Sequence, residues 1–378
     1  MKITVLGGGN AGCFTALYFA WESRNRSDVI VELRHNPSVP PEPVGQASLL
    51  SAPHMLWSAL GFNWYNNPIY ATMKSGILYE NWGKKSKHIF STFPAHNMGM
   101  HYSTVHLQDY ILKSGWFDVI EDSVLNPDDI DSDYVIDCRG KPSDMSLYDT
   151  LTNPLNSAIL GRPKWDCCQL SYSRHVATPD GWTFVIPTPQ ESPSIDFCVG
   201  YLFNDTITDA NVATSNFKKL FDVDIIRQLK FKNYVAKNIT TDNRVFLNGN
   251  KFFFIEPMES TSVETYIQIA KKTYYCIVEK QMPSFFLNGM LRKYVYELQN
   301  FILWHYKTGS VYDTPFWTFA QELASGVQDK YFDNMLNLAL SHSDYDVLNQ
   351  SLGGTLPDEW YAQWAPWNFK LWYNHTHA

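Results

Sequence analysis

The order strand, glycine-rich turn, helix and strand in the first 33 residues, the short β-rich runs between positions 180 and 255, and the helical apolar spacing after Thr261 predict an α/β fold. A Rossmann-like unit opens the chain, a β-rich middle section follows, and a helical region closes it. The change of character falls at 261/262. Residues 1–261 are therefore expected to carry the nucleotide-binding unit with its β-rich section, and residues 262–378 to form helices packed on it.

Each element has its own signal. Lys2 to Leu6 (KITVL) is a short apolar run typical of a buried parallel strand. The turn Gly7-Gly8-Gly9-Asn10-Ala11-Gly12 follows at once. Cys13 to Ala20 then places Ala16, Leu17 and Ala20 at helical spacing, and Asp28 to Leu33 returns to strand and ends on an acid, Glu32. The proline-rich segment from Pro37 to Val44 reads as extended loop. Tyr134 to Ile136 is a further strand, and WTFVIP, FCVGYLF and FFFIE are the β-rich runs of the middle section. Leu291, Val295, Leu298 and Ile302 make one helical stripe that stops near Gly309. Thr314-Pro315 reads as an N-cap and first-turn proline of a last helix ending near Gly326.

Composition narrows the function. The chain has 378 residues, 45% hydrophobic and 18% charged, and so can bury a substantial core. A net charge of −8 with no offsetting basic cluster argues against a nucleic-acid partner. No apolar run reaches the length of a bilayer span, so no membrane segment is expected. Lys2 leads straight into strand, without the basic and apolar regions of a secretory leader. Cysteines 13, 138, 167, 168, 198 and 276 include no CxxC pair and no zinc spacing, which fits free thiols in a cytosol and no metal site. Aromatic residues reach 15%, including 13 Trp, suited either to a Trp-rich core or to a pocket for a flat ligand.

The glycine turn carries the first functional signal. Gly7 lets the chain leave the strand, Gly9 lets backbone approach a pyrophosphate, and Gly12 allows close helix–strand packing. Asn10 and Ala11 open the helix whose N–H groups and dipole hold the negative charge. Glu32, twenty residues past Gly12, is expected to accept from the adenosine ribose, and its acidity argues against a 2′-phosphate. NAD and FAD share this fingerprint. Asp133-Tyr134-Val135-Ile136-Asp137-Cys138-Arg139-Gly140 is similar to the second strand and turn of flavin monooxygenases, which favours FAD.

Three further segments carry a more specific likeness. Gly7 to Ala16, Val44-Gly45-Gln46-Ala47-Ser48 and Phe254-Ile255-Glu256-Pro257-Met258-Glu259-Ser260-Thr261 resemble the GGGxAG, VGEAT and FLEPLEST motifs of flavin-dependent tryptophan halogenases. Also similar are Met73-Lys74 through Trp82, Gly181 to Pro187, and Phe301 to Tyr306 followed by Asp313 to Trp317. The matches keep family order from residue 3 to residue 317 and extend to phage-encoded members of the family.

The resemblance implies a flavin monooxygenase-like fold and a chemistry. Reduced FAD, supplied by a separate flavin reductase, would react with oxygen to a C4a-hydroperoxide that halide attacks to give hypohalous acid. Lys74 would steer or carry the electrophilic halogen, as a haloamine or by hydrogen bond, to an electron-rich aromatic substrate. Glu259 would stabilise the cationic ring and take its proton. Gln46, Ala47, Asn250 and Ser260 join the glycine turn as expected flavin contacts, and Thr261 and Ser262 as the halide seat. Trp182, Phe184, Ile186 and Pro187 would separate flavin from substrate. Glu256 is expected to serve the turn structurally, and His305 to pack in the helical region.

Against the family pattern, Gln46 replaces an acid, Phe184 a tryptophan, Asn250 an aspartate and Ser262 a glycine. These changes bear on flavin affinity and halide choice. The C-terminal residues Trp360, Trp364, Trp367 and Trp372 depart from members that act on tryptophan, so a small phenol or indole is expected rather than free tryptophan. The alternatives are a flavin hydroxylase, a flavin-binding protein that no longer turns over, and an NAD-dependent dehydrogenase. The expected setting is the cytosol, that of an infected host cell if a phage carries the gene, with room for a homo-oligomer.

Overall fold

The computed structural model describes residues 1–42, 44–83, 87–90, 98–124, 126–165, 171–188 and 198–327, with 88–90 as backbone only. Cys167, Cys168, the four C-terminal tryptophans and the end of the expected helical region lie outside the described residues.

Strand β1 (Lys2–Leu6) sits at the centre of a five-stranded sheet, between β2 (Ile30–His35) and Tyr134–Asp137, with Asp118–Glu121 and Val245–Leu247 at the edges. All four pairings are parallel. Ile3, Val5, Val135 and Leu33 are fully buried, as parallel strands covered on both faces require. Helix α1 (Asn10–Glu22) follows the glycine turn and packs against α2 (Ser51–Leu60), α3 (Thr104–Leu112) and α5 (Ser262–Ile277), while α4 (Ala210–Phe221) packs on the strands 199–203 and 223–230. Gly12 is dictated by this packing, because a Cβ there would lie 1.8 Å from the carbonyl oxygen of Gly7. Gly7 itself has φ of +105°, which only glycine adopts readily.

The middle of the chain builds a seven-stranded sheet, 223–230, 157–163, 199–203, 181–185, 173–178, 77–80 and 87–90 in spatial order. The pairing of 173–178 with β5 (Ile77–Glu80) is parallel and the others are antiparallel. A small sheet places the strand Gly99–Ser103 between β3 (Gly45–Ala47) and β4 (Thr72–Lys74).

Helix α6 (Ser284–Thr308) buries the predicted stripe completely: Leu291, Val295, Leu298 and Ile302 are all 0% exposed. At roughly 1.5–3 kcal/mol per buried aliphatic side chain, that stripe is the main reason the helix forms here. It ends at Gly309, whose φ is +78°. Helix α7 (Pro315–Gly326) begins at Pro315 as expected. The Thr314 hydroxyl, however, does not cap it but donates to the Pro179 carbonyl, 2.7 Å away, tying α7 to the seven-stranded sheet. The four described cysteines are buried free thiols. No helix among the described residues is long and apolar enough to cross a membrane.

The register of β2 alters the reading of Glu32. The strand runs to His35, and Glu32 pairs with Thr4 in mid-strand rather than ending the strand as an acid. Its carboxylate is buried, accepting from the Thr4 hydroxyl at 2.7 Å and pairing with Lys2 at 3.0 Å and Arg34 at 2.8 Å. Burial opposes its charge, but these partners outweigh it and hold the carboxyl below its usual range. Glu32→Gln is therefore expected to cost about 1.5–3 kcal/mol of stability, as for lost hydrogen bonds to a charged group whose cationic partners stay partly solvated, with little loss of nucleotide affinity. Thermal denaturation and flavin titration check this; a tenfold loss of affinity at unchanged Tm would restore the ribose role.

Candidate active site

Two groups of residues make up the candidate site. The first lines a cleft of about 650 Å³ at the carboxyl ends of the parallel strands. Gly7, Gly9, Asn10 and Ala11 form one wall, and Gln46, Asn250 and Ser262 face it. Arg34, His35 and Asn36, at the end of β2, stand where an acid was expected. The first residues of α1 and of α5 both line the cleft, so N–H groups of two helix ends border one space, an arrangement suited to a phosphate group. Asn250 accepts a hydrogen bond from Tyr266 on α5 (2.7 Å), which fixes its amide at the cleft wall. Gly12, Glu32, Ala47 and Ser260 are not among the lining residues. Gly12 packs under the turn, and Ala47 is buried in β3 next to Gln46.

The second is a cluster of buried polar side chains around Lys74. Lys74, at the end of β4, is 0% exposed, and its Nζ has no hydrogen-bond partner among the described residues. Burial pulls its pKa down to about 7, partly countered by Glu259. His101 and His175 are also fully enclosed, and burial followed by the nearby Lys74 charge keeps both well below the usual histidine range. His175 presents an unpaired Nδ1 here, while its ring lies 4.8 Å from that of Trp182.

Glu259 is 1% exposed. Its Oε1 accepts from the Tyr79 hydroxyl of β5 at 2.5 Å and meets His305 Nε2 of α6 at 2.6 Å. The expectation that His305 merely packs is thus corrected: its Nδ1 lies 2.8 Å from the Phe301 carbonyl, and its other nitrogen is spent on the site's carboxylate. Neither Tyr79 nor His305 could be assigned from the chain itself, since the contacts cross 180 and 46 positions.

Glu256 has the structural role expected of it, on a wider scale. It accepts from Trp182 Nε1 (3.0 Å), Tyr306 (2.9 Å) and Asn153 (2.8 Å). Burial still raises its pKa above the ordinary glutamate value, the three donors acting against it. Neighbouring residues of α6, His305 and Tyr306, therefore hold the two acids of Glu256-Pro257-Met258-Glu259.

The turn after Glu256 links the cleft to this buried cluster. Pro257 and Ser262 line the cleft, whereas Glu259 and Thr261 between them are buried. Ser260 adopts φ of +56°, a conformation that costs a side-chain-bearing residue about 1–2 kcal/mol and reverses the chain between those two neighbours. Thr261 is the N-terminal boundary of α5, makes no capping bond with its side chain, and leaves its buried hydroxyl without a partner among the described residues.

The expected barrier segment, Trp182 to Pro187, contributes no residue to the lining of the cleft. Trp182 is fully buried and Phe184 half-buried against Gly200. Ile186 lies next to Gly45, whose neighbour Gln46 lines the cleft. The Pro187 carbonyl accepts from Thr72 at 3.0 Å, two residues before Lys74. The segment thus ends between the strand that faces the cleft and the strand that carries the lysine.

Comparison with known proteins agrees with this arrangement. The family model described as tryptophan halogenase matches residues 2–126 and 123–341. Among solved structures, a lanthipeptide tryptophan 5-halogenase, MibH, superposes with a TM-score of 0.80 at 17% identity, over 100% of this chain and 86% of that one. A tryptophan 6-halogenase from Streptomyces toxytricini gives 0.73 at 16% identity, over 100% and 90%. A flavin-dependent halogenase from Brevundimonas sp. BAL3 gives 0.72 at 16% identity, over 89% and 84%. At these identities the superpositions establish the fold, while the family model spans most of the sequence. The chain belongs to the flavin-dependent tryptophan halogenase family.

Proposed function

We propose that this protein halogenates a small electron-rich aromatic compound, with reduced FAD in the cleft and the aromatic substrate reacting at Lys74 and Glu259. The observation that carries the reading is the turn from Pro257 to Ser262, which faces the nucleotide cleft at both ends and buries Glu259 beside Lys74 in between. The cleft fits the flavin: a glycine turn without side chains, two helix ends for the pyrophosphate, and polar groups at Gln46 and Asn250. Reduced FAD from a separate flavin reductase, with oxygen, would supply the oxidising equivalent that turns halide into hypohalous acid.

The chain's own residues do the rest. Thr261 and Ser262 offer the halide a hydroxyl without a partner and the N–H groups of a helix start, next to the cleft. The segment Trp182 to Pro187, with Phe184 supplying bulk, keeps the substrate from direct contact with the flavin and so from hydroxylation. Lys74, freed of competing hydrogen bonds, receives the hypohalous acid and presents the halogen to the ring. Glu259 stabilises the positive charge that builds on the ring and takes up its proton. The replacements at Gln46 and Asn250 keep hydrogen-bonding groups at the cleft, which favours an active enzyme over an inert flavoprotein.

Lys74→Ala is expected to reduce halogenated product at least a thousandfold while flavin affinity stays within about threefold. Reduced FAD, oxygen and a phenol are supplied with chloride, bromide or iodide, and products are read by mass spectrometry against a peroxide-only control. Product at the normal rate from the variant would remove Lys74 from the mechanism, and hydroxylated product from the unaltered protein would make it a hydroxylase.

Lys74 also carries a stability cost with a definite pH signature. The folded protein binds the lysine proton only below about pH 7, whereas the unfolded chain binds it up to about 10.5. The unfolded state holds the extra proton between those values, so stability rises with pH across that window and the full penalty stands below it. Lys74→Met is expected to gain about 2–4 kcal/mol at pH 7, with the gain shrinking toward pH 10.5. A gain that does not vary with pH would show that the lysine is not buried uncharged.

A further inference from the structure

Resting on that reading, the geometry points to His305 as the positioning residue that lets Glu259 act as the base for the ring proton. Three observations carry this. The Phe301 carbonyl can only accept, so the 2.8 Å contact puts a proton on His305 Nδ1 and fixes the ring's orientation. The 2.6 Å contact between Nε2 and Glu259 Oε1 contains one shared proton. Tyr79 donates to the same Oε1 at 2.5 Å, while no described hydrogen bond engages Oε2. Glu259 therefore has one oxygen held by two neighbours and the other left for the substrate.

The proton step balances on this pair. When the halogen has added, the ring carries one positive charge and the reacting carbon holds both halogen and hydrogen. The C–H bond breaks, its electron pair returns to the ring, and the proton goes to Glu259 Oε2. The proton shared at Oε1 passes fully to His305 Nε2. The carboxyl ends neutral and the imidazole positive, so the pair gains the charge that the ring loses.

Charged and titratable groups face His305 from each element packed on it: Tyr79 on β5, His175 on the strand 173–178, Glu256 and Glu259 on the turn before α5, and Tyr306 beside it on α6. Lys74 on β4 is coupled to Glu259 and His175. Among these, Glu259 is the carboxylate in direct contact with the ring.

The test is His305→Gln in the full chain, with flavin titration as the check on folding. A ring-deuterated phenol reports the proton step. The unaltered enzyme should show an isotope effect near unity, because proton loss from a halogenated ring is ordinarily fast. The variant should bind flavin normally, lose at least tenfold in product formation, and show a primary isotope effect of about three or more. A normal rate, or a slow rate without the isotope effect, would overturn the role. If the variant does not bind flavin, ¹⁵N-histidine NMR of the unaltered protein and of Glu259→Gln decides. A His305 Nε2 signal that carries the shared proton and changes in Glu259→Gln supports the role, and a free lone pair at Nε2 refutes it. No halogenated product from the unaltered enzyme would instead refute the halogenase reading itself.

Discussion

The burial of two carboxylates, Glu256 and Glu259, is the constraint around which the site is built. Taking a carboxylate out of water costs several kcal/mol unless donors replace the lost hydration. Here the hydrogen-bond partners come from distant parts of the chain: Tyr79 from β5, Trp182 and Asn153 from the middle section, and His305 and Tyr306 from α6. Losing any of these leaves a buried acid under-satisfied, so the three regions are held in one register. The turn between the acids then has little freedom. Its strained Ser260 persists because both ends are fixed, by the Glu256 bonds before it and by α5 after it.

That constraint connects stability with chemistry. The aromatic residues that could have been read as mere core serve the acids: Trp182 and Tyr79 are each packed in the interior and each donate a hydrogen bond to a buried carboxylate. Lys74 runs the other way. It is placed in the interior without a partner among the described residues, which a core selected only for stability would avoid. A lysine whose charge is opposed by burial, two histidines held unprotonated near it, and one carboxylate held at a single oxygen by Tyr79 and His305 make a site in which a single proton changes the balance.

Much of the fold was legible in the chain, for local reasons. The glycine turn declares itself because Gly7 and Gly12 meet backbone, and the α6 stripe because four positions at helical spacing are all buried. The lysine and the Glu259 turn were legible through family motifs. What was not legible depends on register or on distant pairing. Glu32 fell inside β2 because the strand continues two pairs beyond Thr4, a length set by its neighbours β1 and Asp118–Glu121 rather than by its own residues. His305 looked like any histidine on an apolar helix. Only the fold shows that its neighbour Tyr306 bonds to Glu256 while it bonds to Glu259. Thr314 kept its place at the helix start but gave its hydroxyl to another element, since Pro179 offered a carbonyl there.

The central claim is that one turn, Pro257 to Ser262, borders the flavin on one side and the reacting groups on the other. A crystal structure of the protein with FAD and bromide, read by anomalous scattering, tests it most directly. The account requires a bromide peak at the Thr261 and Ser262 N–H groups, with the flavin ring on the cleft side of Trp182 to Pro187 and Lys74 on the other. A flavin ring in contact with Lys74 or Glu259, or bromide bound only away from this turn, would contradict it.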